Sequence, residues 1–204
     1  SCRSSGRLKL VSIFLITLFF GCEEFLKEEP KALLSPTVFF NSDVEAVAYV
    51  NGIYSTYMFN SGLYNVIGLS RYYMNGTDLI QPNRYGGEGK DFSLYIITEG
   101  NNPTRNTWQA LYRVIQDCNI VIDRIEGNEN ISTNTYNQVR GETLFLRALA
   151  YYHAVNIWKD VPYYTENLPI EEIQVLGRHD KDQIQLDMIE DLKEAQTLLP
   201  DKFP

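Results

Sequence analysis

The chain has 204 residues, of which 44% are hydrophobic and 22% charged, a composition typical of a globular protein with a sizeable core. Its formal net charge is −8 at pH 7 and its basic residues do not cluster, which argues against nucleic acid or anionic lipid as an unspecific partner. The three cysteines and two histidines have no metal-ligand spacing. We therefore expect no nucleic-acid partner, no metal site and no cofactor.

The N-terminus has the plan of a secretory signal. Residues 1–9 carry three basic residues and no acid, and an apolar run of 11 residues, Leu10–Phe20, follows them. This run is too short to span a membrane, which takes about 20 apolar residues. Gly21-Cys22 resembles a bacterial lipobox, in which the cysteine becomes the first mature residue and carries lipid. We predict a signal peptide over residues 1–21 and acylation of Cys22, which would anchor the chain to a membrane.

A tether and a first helix are predicted next. Residues 22–41 contain two prolines and have the character of a lipidated tether. Ser42-Asp43-Val44-Glu45 has the pattern of a capping box, in which the Ser42 hydroxyl accepts from the amide of Glu45 and the Glu45 side chain reaches back. A helix should therefore run from residue 42 to about residue 59.

Residues 60–103 lack sustained periodicity and are rich in glycine and tyrosine. A long irregular segment inside a compact domain is often functional. The glycines do not have the spacing of a phosphate-binding loop, which argues against a nucleotide site. We predict a long irregular excursion here.

A helix over residues 104–126 is indicated by apolar residues at intervals of three and four, and Gly127-Asn128 should end it. Its stripe comprises Trp108, Leu111, Ile115, Cys118, Ile122 and Ile125. We expect Cys118 to be a buried free thiol, because it lies within this apolar pattern.

Two further long helices are predicted over residues 133–158 and 181–199. In the first, Gly141 and several alanines would let a neighbouring helix approach closely, and Val161-Pro162 should end it. Its predicted inward residues are Tyr136, Val139, Leu146, Leu149, Tyr152 and Val155. The second would be capped by residues 180–183 and stopped by Pro200. Its predicted inward stripe is Ile184, Met188, Leu192, Ala195 and Leu199.

The segment GETLFLRALAYYHAVNIWKDVPYYTE, residues 141–166, resembles the hallmark of SusD/RagB-type outer-membrane lipoproteins. In that family a Glu-x-x-Phe-Leu-Arg-Ala-x-x-Tyr-Tyr helix leads into a Gly/Asp-Val-Pro turn. The matching positions are Glu142, Phe145, Leu146, Arg147, Ala148, Tyr151, Tyr152, Asp160, Val161 and Pro162. The sequence departs from the pattern at Trp158-Lys159, where Phe-Gly is common.

Other blocks resemble the family in the same order along the chain. They are CEEFLKEEP (22–30), TVFFNSDVEAVAYVNGIYS (37–55), WQALYRVIQDCNIVIDRI (108–125) and DQIQLDMIEDLKEAQTLLP (182–200). Glu23-Glu24 resembles the acidic export tag of Bacteroidetes surface lipoproteins. Family members are usually much longer, so the chain is similar to an N-terminal portion. Residues 42–204 then correspond to the family's N-terminal α-helical domain, with its C-terminal part missing.

The resemblance implies a mainly α fold of tetratricopeptide-like helix pairs with long irregular loops. It also implies a non-catalytic lipoprotein on the outside of the outer membrane, which passes oligosaccharide to a SusC-like TonB-dependent transporter. Members place part of their aromatic ligand platform in the stretch that corresponds to residues 60–103. The predicted glycan-binding residues are Tyr72, Tyr73, Asn75, Arg84 and Tyr85, since flat rings suit the CH face of a sugar and planar polar groups suit its hydroxyls.

Two alternatives stay open at this point. One is a helical-repeat scaffold that binds a peptide or another non-sugar nutrient with its transporter. The other is a hydrolase built around Tyr151-Tyr152-His153. However, Arg147 lies five residues after Glu142, a spacing that does not place two side chains together on a helix. We therefore expect no catalysis, with Arg147 and Glu142 pairing to neighbouring helices.

Overall fold

The computed structural model describes residues 39–55, 69–75, 77–78, 89–98 and 100–201, apart from the side chains at positions 70 and 71. The chain divides into two compact units, 1–35 and 36–204, and every described residue belongs to the second. The predicted signal peptide, Cys22, Arg84 and Tyr85 therefore lie outside the described residues. None of the described helices has the length and apolar character needed to cross a membrane.

The described residues are mainly helical, as predicted. The elements are α1 (Asp43–Gly52), α2 (Leu69–Met74), α3 (Gly89–Ser93), α4 (Asn102–Ile125), α5 (Thr133–Trp158), β1 (Val161–Pro162), α6 (Ile170–Ile173), β2 (Arg178–His179) and α7 (Lys181–Leu198). The two short strands pair antiparallel, with Val161 opposite His179. Helix α5 lies at the centre of the body, where it packs against α4, α7 and, over a shorter length, α1.

Helix α1 begins with half of the predicted capping box. The Ser42 hydroxyl accepts from the amide of Glu45, as expected. The Glu45 carboxylate reaches back one residue further than predicted, because it accepts from the backbone amide of Asn41 at 2.9 Å. The helix changes to a π-helical turn at residues 53–55, and residues 56–59, which were predicted to continue it, lie outside the described residues.

The three long helices begin and end close to their predicted positions. Asn101, Ser132 and Asp180 cap α4, α5 and α7, each through a side-chain oxygen that accepts from backbone amides of the first turn. Gly127 follows α4 with a φ of +65°, a conformation that glycine adopts without steric cost. Cys118 is fully buried in the core between these helices, and burial raises the pKa of its thiol.

One predicted core position on each of α5 and α7 is wrong. Tyr152 of α5 is 54% exposed and its neighbour Tyr151 is fully buried instead. On α7 the buried stripe runs through Ile184, Met188 and Ala195, but Leu192 is exposed. In both cases the predicted stripe was chosen from apolar character alone.

At Gly141 another part of the chain approaches α5 closely, as the small size of glycine suggested. A Cβ atom added there would lie 2.7 Å from Cγ of Leu199, which follows α7. Real Cβ atoms essentially never come this close to another heavy atom. The end of α7 can therefore lie against α5 only because this position has no side chain.

Helix α5 ends at the turn that precedes β1. Lys159 takes a φ of +66° and a ψ of −116°, a backbone conformation that strongly favours glycine. This is the position where the resembled family commonly has glycine. Lysine at this turn is therefore held in a strained conformation by the structure on either side.

The excursion at residues 60–103 is less irregular than predicted, since it contains α2 and α3. Both helices are short, at six and five residues. Leu69 of α2 and Phe92 of α3 are buried. Tertiary packing rather than sequence periodicity therefore stabilises these helical turns, which is why no pattern reveals them.

Candidate functional site

An aromatic cluster connects α2 and α3 to the ends of α4 and α5. Its members are Tyr72, Phe92, Trp108, Tyr112, Trp158 and Tyr164. The Trp158 ring lies at its middle, edge-on to Trp108 at a centroid distance of 5.1 Å and tilted against Tyr72 at 5.6 Å. Contacts of this kind contribute about 0.5–1.5 kcal/mol each beyond area burial. The cluster therefore fixes the tyrosine-rich segment to the helical body.

Tyr72, the first predicted glycan-binding residue, is half-buried within this aromatic cluster. Its ring lies edge-on to Phe92, with centroids 5.0 Å apart and an interplanar angle of 86°. The Tyr72 ring therefore contacts both Phe92 of α3 and Trp158 at the end of α5. Its predicted contact with a glycan stays a prediction.

Tyr73, the second predicted residue, presents more of its ring to solvent and is 45% exposed. Its hydroxyl and Nδ1 of His153 on α5 share a hydrogen bond of 2.9 Å. Burial lowers the pKa of His153, which favours the neutral imidazole in this pair. The His153 ring also contacts the ring of Tyr152, at a centroid distance of 5.3 Å. Two exposed tyrosines therefore contact one buried histidine.

The remaining predicted residues divide into two groups. Asn75 follows α2 directly and is half-buried, two residues along the chain from Tyr73. Arg84 and Tyr85 lie outside the described residues. The structure thus brings Tyr72 and Tyr73 to the C-terminal half of α5. The glycan-binding role of all five residues stays a prediction.

Arg147, in the family-like motif, pairs with a neighbouring helix as predicted. Its Nε and Nη2 atoms donate to the two carboxylate oxygens of Asp191 on α7, each at 2.8 Å. Its Nη1 atom donates to Oδ1 of Asn119 on α4 and to the carbonyl of Thr165. Arg147 is buried, and burial outweighs this pairing at Asp191, whose pKa is raised. Arg147 is therefore a structural link between three helices and the connector after α5.

Glu142 departs from the prediction, because it pairs within its own helix. Its Oε1 atom accepts from the side-chain amide of Gln138, four residues earlier on α5, at 2.9 Å. Residues four apart face each other on a helix, so this bond needs no neighbouring helix. The five-residue spacing of Glu142 and Arg147 indeed separates them, with Arg147 turned toward α7.

The connector after α5 is held by the buried tyrosine of the same motif. The Tyr151 hydroxyl donates to the carbonyl of Tyr164 at 2.8 Å and accepts from its amide at 2.9 Å. Tyr112 adds a hydrogen bond to the carbonyl of Pro162 at 2.7 Å. The motif residues Arg147 and Tyr151 therefore satisfy backbone groups of the connector, a structural task.

The exposed surface near His153 offers the rings of Tyr73 and Tyr152. The buried side chains of Arg147 and Tyr151 are hydrogen-bonded within the scaffold. Among the described residues, no group of three or more histidine, cysteine or carboxylate side chains could hold a metal ion. Sequence reasoning missed Tyr152 as an exposed ring. Adjacent helical residues point in different directions, but the sequence does not say which of Tyr151 and Tyr152 faces the core.

A protein-family model described as starch-binding and associating with the outer membrane matches residues 25–204. SusD-like protein P25 of Formosa agariphila is 40% identical over 202 residues, which cover 96% of this chain and 38% of that protein. SusD-like protein P2 of the same organism is 26% identical over 196 residues and is covered to the same 38%. The chain therefore spans well under half the length of these curated relatives.

Solved structures show the same fold. A laminarin-binding SusD-like protein superposes with a TM-score of 0.69 at 24% identity, over 81% of this chain and 36% of that one. A SusD homologue from Bacteroides thetaiotaomicron also gives a TM-score of 0.69, at 20% identity, over 85% of this chain and 33% of that one. At these identities the likeness establishes the tetratricopeptide-like helical fold and no more. The match of the family model to residues 25–204 shows that the chain belongs to the SusD-like family.

Proposed function

We propose that this chain is part of a cell-surface lipoprotein that captures oligosaccharide without cleaving it and passes it to a TonB-dependent outer-membrane transporter. The observation that carries the proposal is the match of residues 25–204 to a starch-binding, outer-membrane-associated family. One structural neighbour is itself described as laminarin-binding, which also supports a glycan as the ligand.

The exposed ring of Tyr73 supports the proposal within the structure. Its hydroxyl is tied to His153, so the ring is held in one orientation before a ligand arrives. A ring ordered in advance loses less conformational entropy on binding than a free one. Asn75, two residues later, supplies an amide of the kind that hydrogen-bonds sugar hydroxyls.

The pairing of the Asp191 carboxylate with Arg147 supports a role without bond cleavage. Glycoside hydrolysis commonly uses two carboxyl groups on either side of the scissile bond. Asp191, which burial would make a candidate acid, is engaged by Arg147 through both of its carboxylate oxygens. This geometry favours a structural task for Asp191 over proton transfer.

Glycan binding is tested by isothermal titration of the full-length protein against starch and laminarin oligosaccharides. Tyr73→Ala should weaken binding by about threefold to tenfold, because the variant loses the stacked face of the ring. Tyr73→Phe keeps that face and should bind nearly as the wild type does. Val175→Ala, far along the chain on an exposed turn, serves as the matched control.

No heat signal with any glycan, from a protein that melts cooperatively, would overturn the sugar proposal. The alternative, a scaffold for a peptide or another non-sugar nutrient, would then gain support if the same protein bound such a ligand. If glycans bind but Tyr73→Ala has no effect, the function stands and the site lies elsewhere.

The proposed anchor is tested by metabolic labelling with a palmitate analogue. The wild type and Cys2→Ala should incorporate label and Cys22→Ala should not, because Cys2 falls within the segment that we predict to be removed. Label on the Cys22→Ala variant, or the absence of label from the wild type, would contradict the anchor.

The proposed transporter is tested by purifying the tagged protein from outer membranes. A large β-barrel protein should be recovered together with it.

A further inference from the structure

Helix α3 ends in a turn that has the hydrogen bonds of a Schellman motif. The backbone amide of Ile96 donates to the carbonyl of Asp91 at 3.0 Å, and the amide of Tyr95 donates to the carbonyl of Phe92 at 3.4 Å. These two bonds define this type of helix end, which needs one residue in the left-handed conformation. Here that residue is Tyr95, with a φ of +56°. Glycine is the usual residue at this position, because a left-handed backbone crowds any Cβ atom.

Burial in the core does not offset the backbone strain at Tyr95, which is 77% exposed. Phe40 also has a positive φ, of +80°, but it is only 2% exposed and its ring packs against Phe39 and Tyr49. The hydrophobic effect therefore stabilises the strained backbone at Phe40 far more than at Tyr95. Strained residues other than glycine cluster at ligand-binding positions. The stability of the fold thus favours glycine over tyrosine at position 95, which points to a ligand for the ring.

The turn that carries Tyr95 is attached to the helical body at two points. Phe92 is buried, and its ring lies edge-on to Tyr72 of the aromatic cluster, with centroids 5.0 Å apart. The Asp91 carboxylate accepts a hydrogen bond of 3.2 Å from the side-chain amide of Asn101, the residue that caps α4. The backbone at Tyr95 is therefore held in place before a ligand arrives, which reduces the conformational entropy lost on binding.

The surface around Tyr95 combines apolar and hydrogen-bonding groups. Leu94 and Ile96, on either side of it in the chain, are 52% and 57% exposed. The exposed side chains of Lys90 and Thr98 lie at the two ends of the same segment. A tyrosine ring offers a flat apolar face and a hydroxyl at its edge. A pyranose sugar has the matching combination, an apolar CH face and hydroxyl groups around its rim.

We propose that Tyr95 is a sugar-stacking residue, whose ring binds the CH face of one pyranose unit of the captured oligosaccharide. The inference rests on the proposed function and adds a residue to the five predicted from the sequence. It also changes their relative weight. The ring of Tyr72 is half-buried in the aromatic cluster, whereas that of Tyr95 is exposed on a fixed turn.

The test compares glycan affinity with stability in the full-length gene product. Tyr95→Gly and Tyr95→Asn both remove the ring and introduce a residue that tolerates the left-handed conformation. Both should bind starch or laminarin oligosaccharides about threefold to tenfold more weakly in isothermal titrations. Both should also unfold at a urea concentration equal to or above that of the wild type. Tyr95→Phe keeps the ring and should bind nearly as the wild type does. Lys159→Gly is the matched control, since it relieves strain at another turn and should keep full affinity.

Unchanged affinity in Tyr95→Gly would overturn this inference and leave the proposed function standing. Lower stability in both Tyr95→Gly and Tyr95→Asn would also overturn it, because the ring would then support the fold. If these variants keep their glycan affinity but no longer purify with the transporter, the ring belongs to a protein interface and the sugar assignment is wrong. A wild type that binds no glycan would overturn both the inference and the proposed function.

Discussion

Residues 100–201 and the segment that contains α2 and α3 are held in place by different means. In the first region, long helices share a continuous apolar core, and a buried guanidinium joins α4, α5 and α7. In the second, two helical turns attach through Leu69, the rings of Tyr72, Tyr73 and Phe92, and a hydrogen bond from Asn101 to Asp91. Regions with fewer buried contacts open at lower free energy than the rest of a protein. We therefore expect the segment that contains α2 and α3 to open at lower free energy than the scaffold.

The strongest test of the scaffold is Arg147→Ala. The variant leaves Asp191 buried without its cation, and Asn119 and the carbonyl of Thr165 lose a donor. Removing one partner of a buried pair costs about 3–5 kcal/mol. We expect the free energy of unfolding to fall by that amount in urea titrations followed by far-UV circular dichroism.

Arg124→Ala is the matched control for that measurement. Arg124 is 42% exposed at its side chain and lies 3.9 Å from the Asp123 carboxylate, a surface pair. Such pairs contribute about 0–1 kcal/mol. Equal losses in the two variants would show that the Arg147 network is not what joins the helices.

Phe92→Ala addresses the segment rather than the scaffold. Phe92 is buried and supports Tyr72, so its truncation should destabilise α2 and α3 locally by about 3 kcal/mol. Amide hydrogen exchange should accelerate in these two helices, whereas the slow amides of α4 and α5 keep their protection. Leu94→Ala, at an exposed position of the same segment, should leave both regions unchanged. A uniform acceleration across all helices would contradict the division into two regions.

Gly141→Ala tests how closely the scaffold is packed. The added methyl group would meet the Leu199 side chain at 2.7 Å and should displace the end of α7. Overpacking costs about 1–3 kcal/mol, and the better helix propensity of alanine returns about 1 kcal/mol. A net loss of up to about 2 kcal/mol in urea titrations is expected. Gly52→Ala on α1, where no heavy atom lies within 4 Å, should be neutral or stabilising.

Lys159→Gly acts where the two regions meet, since Lys159 follows Trp158 of the aromatic cluster. Its φ of +66° should strain lysine and not glycine. Allowing for the greater unfolded-state entropy of glycine, we expect a gain of about 1 kcal/mol. Lys193→Gly, inside α7, should instead lose about 1 kcal/mol. A loss at Lys159 would mean that its side chain makes a contact worth more than the strain.

The smallest expected effect is a pH dependence that arises at His153. Burial lowers the pKa of His153 in the folded protein below the ordinary 6.5. At a pH between these two pKa values, His153 is protonated to a greater extent in the unfolded chain than in the folded one. Its contribution to stability is complete above pH 6.5 and is lost as the pH falls from there through the folded pKa. Urea titrations at about pH 7.5 and about pH 5.5 should show this loss. His153→Gln should lack it, and His179→Gln should keep it.

Much of the scaffold could be predicted from the sequence because its signals are local. The periodic stripes, the Gly127-Asn128 end signal and the capping pattern of residues 180–183 place the long helices within a few residues of their observed bounds. The motif that contains Arg147 also indicates the family. These features depend on neighbours along the chain, which is why a single sequence displays them.

The site could be predicted only in part. Tyr73 lies in the segment that the sequence singled out, but its bond to His153 joins residues 80 positions apart. Tyr152 and Tyr151 are equally good core candidates by type, and only the direction of α5 in the bundle decides which one is buried. The predicted inward position of Leu192 fails for a related reason, because the buried Arg147 takes Asp191 as its partner from the adjacent position on α7.

The sequence by itself therefore determined the three long helices, their ends and the family, since hydrophobic periodicity, capping and motif residues act over a few neighbouring positions. The tertiary structure decided the Arg147–Asp191 pair, the close approach at Gly141 and the strained turn at Lys159. These depend on how helices distant in sequence are rotated and packed against one another. Packing selects one rotation from several that the same periodic pattern allows.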